Sequence, residues 1–266
     1  MSDATRFWDI YSHTYDAVRF AIPYGQLLDA LAEALALEDG MTVLDLGCAT
    51  GNVEERLAED QAGICVTGVD YSESMLRRAR RKCERFPKVG FVRADLAEPL
   101  PFPDASFDRV LANNVLYALP GRSALLAEAR RVLRPGGLLV LSDPKAGASI
   151  RELVRAHFAA IASMTPGRRL IALAKAFVTL PLMGLAPIML ITSSVAAKTR
   201  EGEYRFSTGA ELVELLSDFA DVRVTEAYAG QNWLAVAHEP AVPSRRTASS
   251  AMSSDSSLPV NDITSS

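Results

Sequence analysis

Only three of the 266 residues are cysteine: Cys48, Cys65 and Cys83. An odd number without metal-ligand spacing speaks against a disulfide framework and against a cysteine-built metal site. It predicts reduced thiols in a cytoplasmic protein. Positive charge is not in excess either, since 28 Lys and Arg face 32 Asp and Glu for a net charge of −4. Nucleic-acid backbones call for a basic face, so this balance argues against such a partner. Met1 to Arg6 contains no apolar signal core, which argues against secretion. The longest apolar stretch, Ala176 to Thr192, is uncharged but interrupted by Pro181 and Pro187. It falls short of the roughly 20 residues that a membrane-spanning helix needs. The G-x-G-x-x-G of a dinucleotide turn is missing too. Counted from Gly47 it would put glycine at 49 and 52, where the chain has Ala49 and Asn52.

What is present is an ordinary globular composition, 49% apolar and 23% charged. The length suits one large domain, or one domain with an insertion. Buried strands are predicted at Thr42–Leu46, Ile64–Val69, Val89–Ala94, Phe107–Ala112 and Leu138–Leu141. Helices are predicted between them: Asn52 to about Glu59, Ser72 to about Phe86, and Ser123–Leu133. Strict alternation with short connections means a parallel sheet covered by helices on both faces. Before this core, Gln26–Ala36 reads as an amphipathic helix, and Trp8, Tyr11 and Tyr15 recur on one helix face. After Asp143 the pattern breaks. Ile150–Arg155 and His157–Ala162 look helical, with a turn at Thr165-Pro166-Gly167. A helix from Thr208 to about Phe219 and two closing strands, Val222–Thr225 and Trp233–Ala237, follow; the strands are close enough to pair antiparallel. The run Arg77, Arg78, Arg80, Arg81 and Lys82 reads as a solvated helix face.

The expected organisation is a helical lid over residues 1–37 and a binding core over 38–148. An apolar helical insertion over 149–205 serves as a substrate cap, 206–239 complete the core sheet, and 240–266 form a Ser-rich disordered tail.

The turn Gly47-Cys48-Ala49-Thr50-Gly51, between a buried strand and a helix start, is where backbone meets a ligand. Asp70, after the second strand and about 20 residues past that turn, is placed to accept hydrogen bonds from a ribose diol. Asp95 follows the third strand in the same way. The ligand expected from the residues alone is a nucleoside.

Asp45, Gly47 and Gly51 resemble motif I of the class I S-adenosylmethionine-dependent methyltransferases, with Ala49 replacing the middle glycine. Asp70-Tyr71-Ser72-Glu73-Ser74-Met75-Leu76 is similar to the family's D-x-S-x-x-M-L stretch. Ala94-Asp95, with Leu100-Pro101-Phe102-Pro103-Asp104 and Ser106-Phe107-Asp108, resembles its A-D…L-P-F-x-D-x-S-F-D segment. Arg131-Val132-Leu133-Arg134-Pro135-Gly136-Gly137 resembles its R-V-L-K-P-G-G turn. These motifs stand in the family's order over Thr42 to Ser142, and the nearest likeness is to small-molecule methyltransferases such as those of quinone biosynthesis.

The resemblance implies a doubly wound, Rossmann-like α/β fold. Its sheet is mostly parallel and seven-stranded, with an antiparallel last strand and a helical insertion after the fifth. It implies S-adenosyl-L-methionine as cofactor, S-adenosyl-L-homocysteine as product, and no metal. Gly47, Cys48, Ala49 and Gly51 would line the methionine end, with Asp45 near the ammonium and Asn113 accepting from it. Asp70 would hold the ribose, Tyr71 or Met75 would lie against the adenine, and Asp95 would accept from its amino group beside Leu96. Tyr11 and Tyr15 would close over the cofactor. Tyr117 would face the methyl, and His13, Tyr15, Tyr117 and His157 are the candidate bases. Where the family's nucleic-acid N-methyltransferases carry (N/D/S)-P-P-(Y/F), this chain has Asn113-Asn114-Val115-Leu116. The expected function is methyl transfer to a small, mostly apolar acceptor: a polyketide, terpenoid, quinone or other secondary metabolite. The competing readings are a membrane-associated lipid or quinone methyltransferase, a non-catalytic cofactor-binding protein, and an enzyme coupling methylation to rearrangement. A homodimer and attachment to a membrane surface are the partners left open by the apolar insertion.

Overall fold

Strands whose two faces are both buried read as continuous apolar runs, and the computed structural model shows why here. It describes residues 15–61, 63–183, 199, 201–202 and 204–241. Seven strands form one sheet: β1 (Thr42–Leu46), β2 (Cys65–Asp70), β3 (Val89–Arg93), β4 (Phe107–Asn113), β5 (Leu133–Pro144), β6 (Ala220–Ala227) and β7 (Asn232–His238). Their order is β3-β2-β1-β4-β5-β7-β6. The first five run parallel, while β7 is antiparallel to both β5 and β6. Strand order reverses between β1 and β4, which opens a crevice at their carboxyl ends.

Side chains alternate across this sheet and feed two cores. Leu44, Leu46, Val110, Ala112, Leu139 and Leu141 point to one side. There α4 (Arg122–Val132) packs Leu125, Leu126, Ala129 and Val132 against them. Val43, Leu111, Leu138 and Val140 point to the other side. That face is covered by α1 (Ile22–Leu35), through Leu27, Leu28, Leu31 and Leu35, and by α2 (Asn52–Asp60), through Val53 and Leu57.

The helix bounds differ from the sequence reading in instructive ways. The first helix starts at Ile22, not Gln26, with Pro23 in the first turn, where a missing N–H costs nothing. The next-but-one, α3 (Glu73–Lys82), is capped by Ser72, whose Oγ accepts from Met75 N–H at 3.3 Å. It stops at Lys82 rather than near Phe86. Leu133 already pairs with Phe107, and Arg109 next pairs with Leu138, so residues 134–137 form an irregularity inside β5 instead of a separate turn. Gly136, at φ +78°, makes that detour possible.

The two helical pieces expected between Ile150 and Ala162 are one continuous helix, α5. The expected turn at 165–167 is the start of α6 (Pro166–Met183), again with proline at the first position. A 3-10 helix, Asp16–Phe20, precedes α1, and a second, Leu116–Ala118, follows β4. The last helix, α7 (Gly209–Leu215), opens on a capping box between Thr208 and Glu211. Tyr11, His13, residues 184–192 of the apolar run and nearly all of the expected tail lie outside the described residues.

Candidate functional site

The turn after β1 is built from the backbone outward. Gly47 N–H and Cys48 N–H both donate to Val69 O, at 2.8 and 2.9 Å, tying the turn to the end of β2. Gly47 sits at φ +81°, and a Cβ there would meet Val115 Cγ2 at 2.5 Å. Gly51, at φ +79°, caps α2 and faces Ala79 at a virtual-Cβ distance of 3.0 Å. Ala49 adopts φ +48° without being glycine, so the replaced middle glycine still has the left-handed backbone.

Asp70 holds the same turn from the side: Oδ2 accepts from Ala49 N–H at 3.0 Å and Oδ1 from Ser72 N–H at 2.8 Å. Loop bonding, the plain alternative to ribose binding, is therefore present. Asp95 is exposed beyond β3, one oxygen accepting from Ala97 N–H at 3.0 Å, with Leu96 half-buried beside it. Tyr71 is half-buried, whereas Met75 is packed into the core at 1% exposure.

Around the turn and the ends of β1, β4 and β5, several buried acceptors lack donors. Asp45 Oδ1, both oxygens of Glu54, Asn113 Oδ1 and Asp143 Oδ2 are buried with no hydrogen-bond partner. Burial, then the charge of Asp70, pushes the Asp45 carboxyl well up. Burial, then the charge of Asp45, does the same to Glu54. The two carboxyls lie within hydrogen-bond reach of each other. Two bare buried carboxylates are costly, and burial raises the pKa of both. Asp143 is pushed up to about 7 by burial, although it accepts from the N–H groups of Tyr117, Leu116 and Val115 and feels the charge of Arg122. A concentration of unpartnered acceptors fits a cationic ligand bearing an ammonium and a sulfonium.

The walls come from outside the core sheet. Asp16, in the first 3-10 helix, accepts from Thr50 Oγ at 2.5 Å and from Lys82 Nζ at 2.6 Å, and Lys82 also donates to Asn52 Oδ1. Thus Lys82 does not belong to the solvated face expected for its helix. Arg77, Arg80 and Arg81 are exposed, but the Lys82 side chain is only 9% exposed. This network ties Asp16, the residue after Tyr15, to the turn.

On the other side, Tyr117 stacks on Phe206 (5.4 Å, 14°) and meets Tyr204 edge-on (5.2 Å, 84°). Both ends of the insertion are fastened there. Ser149 N–H donates to Gln231, Arg205 N–H to Tyr117 O, and buried Ser207 accepts from Arg122 and Trp233. His157 is differently employed. Its Nδ1 accepts from Ile22 N–H at 3.1 Å, capping α1, and burial lowers its pKa.

Sequence reasoning missed Glu54, Asp143, Lys82 and the Tyr204–Phe206 pair. Asp143 was recoverable, because it ends the fifth strand as Asp70 and Asp95 follow the second and third.

Sheet order and glycine turn together give the Rossmann-like fold of the class I methyltransferases. Residues 44–141 match the family described as a methyltransferase domain. The chain is 39% identical over 140 residues to a 27-O-demethylrifamycin SV methyltransferase of Amycolatopsis mediterranei (strain S699), covering 52% of this chain and 49% of that protein. It is 42% identical over 117 residues to a trans-aconitate 2-methyltransferase of Azoarcus sp. (strain BH72), covering 44% of each. The chain thus spans about half the length of these curated relatives. A chain in the complex between the Haloferax volcanii Trm112 methyltransferase activator and the putative methyltransferase shares the fold. Its TM-score is 0.59 at 18% identity, with 88% of this chain and 97% of that one covered.

Proposed function

We propose that the protein transfers a methyl group from S-adenosylmethionine to a small, mostly apolar acceptor, in the cytoplasm and without a metal. The observation that carries this reading is the set of donor-less acceptors at Asp45 and Asn113 beside a glycine turn. S-adenosylmethionine, when bound, supplies an electrophilic methyl on a sulfonium. Asp45 and Asn113 accept from the ammonium, Asp70 from the ribose hydroxyls, and Asp95 from the adenine amino group. Gly47, Cys48 and Ala49 give the methionine end room at the backbone, and Tyr71 and Leu96 flank the base.

Tyr117, Tyr204 and Phe206 form an aromatic wall on the acceptor side, with the insertion as its cap in this reading. Positioning and exclusion of water supply most of the rate. His157 keeps only Nε2 for any proton transfer, which leaves Tyr117 the better placed of the described candidate bases. The aromatic wall supports an apolar acceptor, and the relatives named above are named for acceptors as different as a demethylrifamycin and trans-aconitate.

The test is incubation with methyl-labelled S-adenosylmethionine and a library of apolar hydroxyl, amine and activated-carbon acceptors. Label is expected in an extractable organic product, and at least tenfold less of it from Tyr117→Ala. Cofactor binding with no labelled product from any acceptor would favour a non-catalytic binding protein. A product whose skeleton has changed would favour methylation coupled to rearrangement.

A further inference from the structure

The insertion has an outer face that the methyl-transfer reading does not use. On α5, Val154 and Phe158 are exposed, with Arg151 and Arg155 on the same side of the helix. On α6, Leu170 (72% exposed), Ile171 (60%) and Leu173 project beside exposed Arg168 and Arg169. The inner side is occupied, since α5 packs on α1 and α6 on the first 3-10 helix.

Charge is distributed just as unevenly. Between residues 150 and 200 there are seven Lys and Arg and one acidic residue, Glu152, a net charge of +6. The whole chain carries −4, so the remainder carries −10. Exposed apolar side chains interleaved with exposed arginines on neighbouring helices are the pattern of an element that lies in a membrane interface. Among the described residues no helix is long and apolar enough to cross a membrane.

We propose that the outer face of α5 and α6 docks on an anionic phospholipid surface. Phe158, Leu170 and Ile171 enter the headgroup boundary while Arg151 and Arg168 meet lipid phosphates. The acidic remainder of the protein is repelled from the same surface, so the charge asymmetry orients the molecule insertion-down. A second copy of the chain fits this face poorly, because a two-fold contact would set the basic patch against itself. The docking needs no cofactor and is independent of the methyl-transfer reading.

The test is flotation of the full chain with vesicles of phosphatidylcholine alone, and of phosphatidylcholine and phosphatidylglycerol in equal parts. Binding is expected to the anionic vesicles and to weaken as salt rises. Arg151→Gln with Arg168→Gln should weaken it about thirtyfold, at about tenfold or less per charge. Leu170→Ser with Ile171→Ser should abolish it, and unchanged far-ultraviolet dichroism and melting of both variants would show that the fold is intact. Failure to float with anionic vesicles overturns the proposal, as does flotation that neither pair of substitutions alters. So does a concentration-dependent dimer in lipid-free buffer that Leu170→Ser with Ile171→Ser breaks, because the face would then be a subunit contact.

Discussion

At the scale of single residues, the buried acids are the most informative feature. Asp45 and Glu54 sit behind the glycine turn with their pKa values raised by burial. An acid with a raised folded-state pKa binds more protons folded than unfolded. Stability therefore falls as pH rises from the ordinary carboxylate range through the folded value, by at most about 1.4 kcal/mol per pH unit for each proton. Glu54→Gln removes one such acid and keeps the shape. We expect it to leave stability nearly unchanged at low pH and to raise it by about 1–3 kcal/mol on the alkaline side. Chemical denaturation at several pH values measures this, and parallel pH profiles for the two proteins would contradict a raised pKa at Glu54.

Ala49 and Gly47 test the backbone of the turn. Ala49→Gly relieves a left-handed alanine but loosens the unfolded chain, two effects of about 1 kcal/mol each that nearly cancel. Gly47→Ala drives a Cβ against Val115 and should cost about 2–4 kcal/mol. Denaturation midpoints separate the two.

These residues also mark where a sequence stops being readable. Asp45, Asp70 and Asp95 were legible because each stands at the end of a recognisable strand. Glu54 was not, because what buries it is distant: a Cβ on Gly68 would stand 2.3 Å from Glu54 Oε1, so its niche exists only because residue 68 is glycine.

At the scale of elements, the first 3-10 helix is latched to the turn by Asp16, Thr50 and Lys82. The partners are 66 residues apart in sequence at the widest, Lys82 to Asp16, so periodicity along α3 could not reveal that Lys82 turns inward. Burial lowers the Lys82 pKa against the pull of Asp16, and the bonds to Thr50 and Asn52 share its three donors. Lys82→Met should leave Asp16 and Asn52 without that donor, destabilise the protein by about 1–3 kcal/mol, and speed amide exchange over residues 16–24. Equal exchange there in both proteins would mean that the latch holds nothing. The insertion was the least legible element. Two helical pieces were expected where α5 runs unbroken, and a turn was expected where α6 starts.

At the scale of the whole molecule, most of the fold was legible. β1, β2, β4 and β5 are largely buried and read as apolar runs, β3 is a half-exposed edge strand, and short connections leave few right-handed arrangements. The closing pair was visible too, because β6 alternates between half-buried and exposed residues while β7 is mostly apolar. What could not be read was where the outlying segments settle, since the latch at Asp16 and the hub at Ser207 join residues far apart in the chain.

The whole arrangement converges on one claim, that the crevice between β1 and β4 holds S-adenosylmethionine through its glycine turn and strand-end acceptors. Titration calorimetry of the intact chain tests it most directly. The wild type is predicted to bind one equivalent of S-adenosylmethionine, and Asp70→Ala to bind at least a hundredfold more weakly, from the loss of about two charge-assisted hydrogen bonds. No heat with the wild type, or equal affinity in Asp70→Ala, would contradict it.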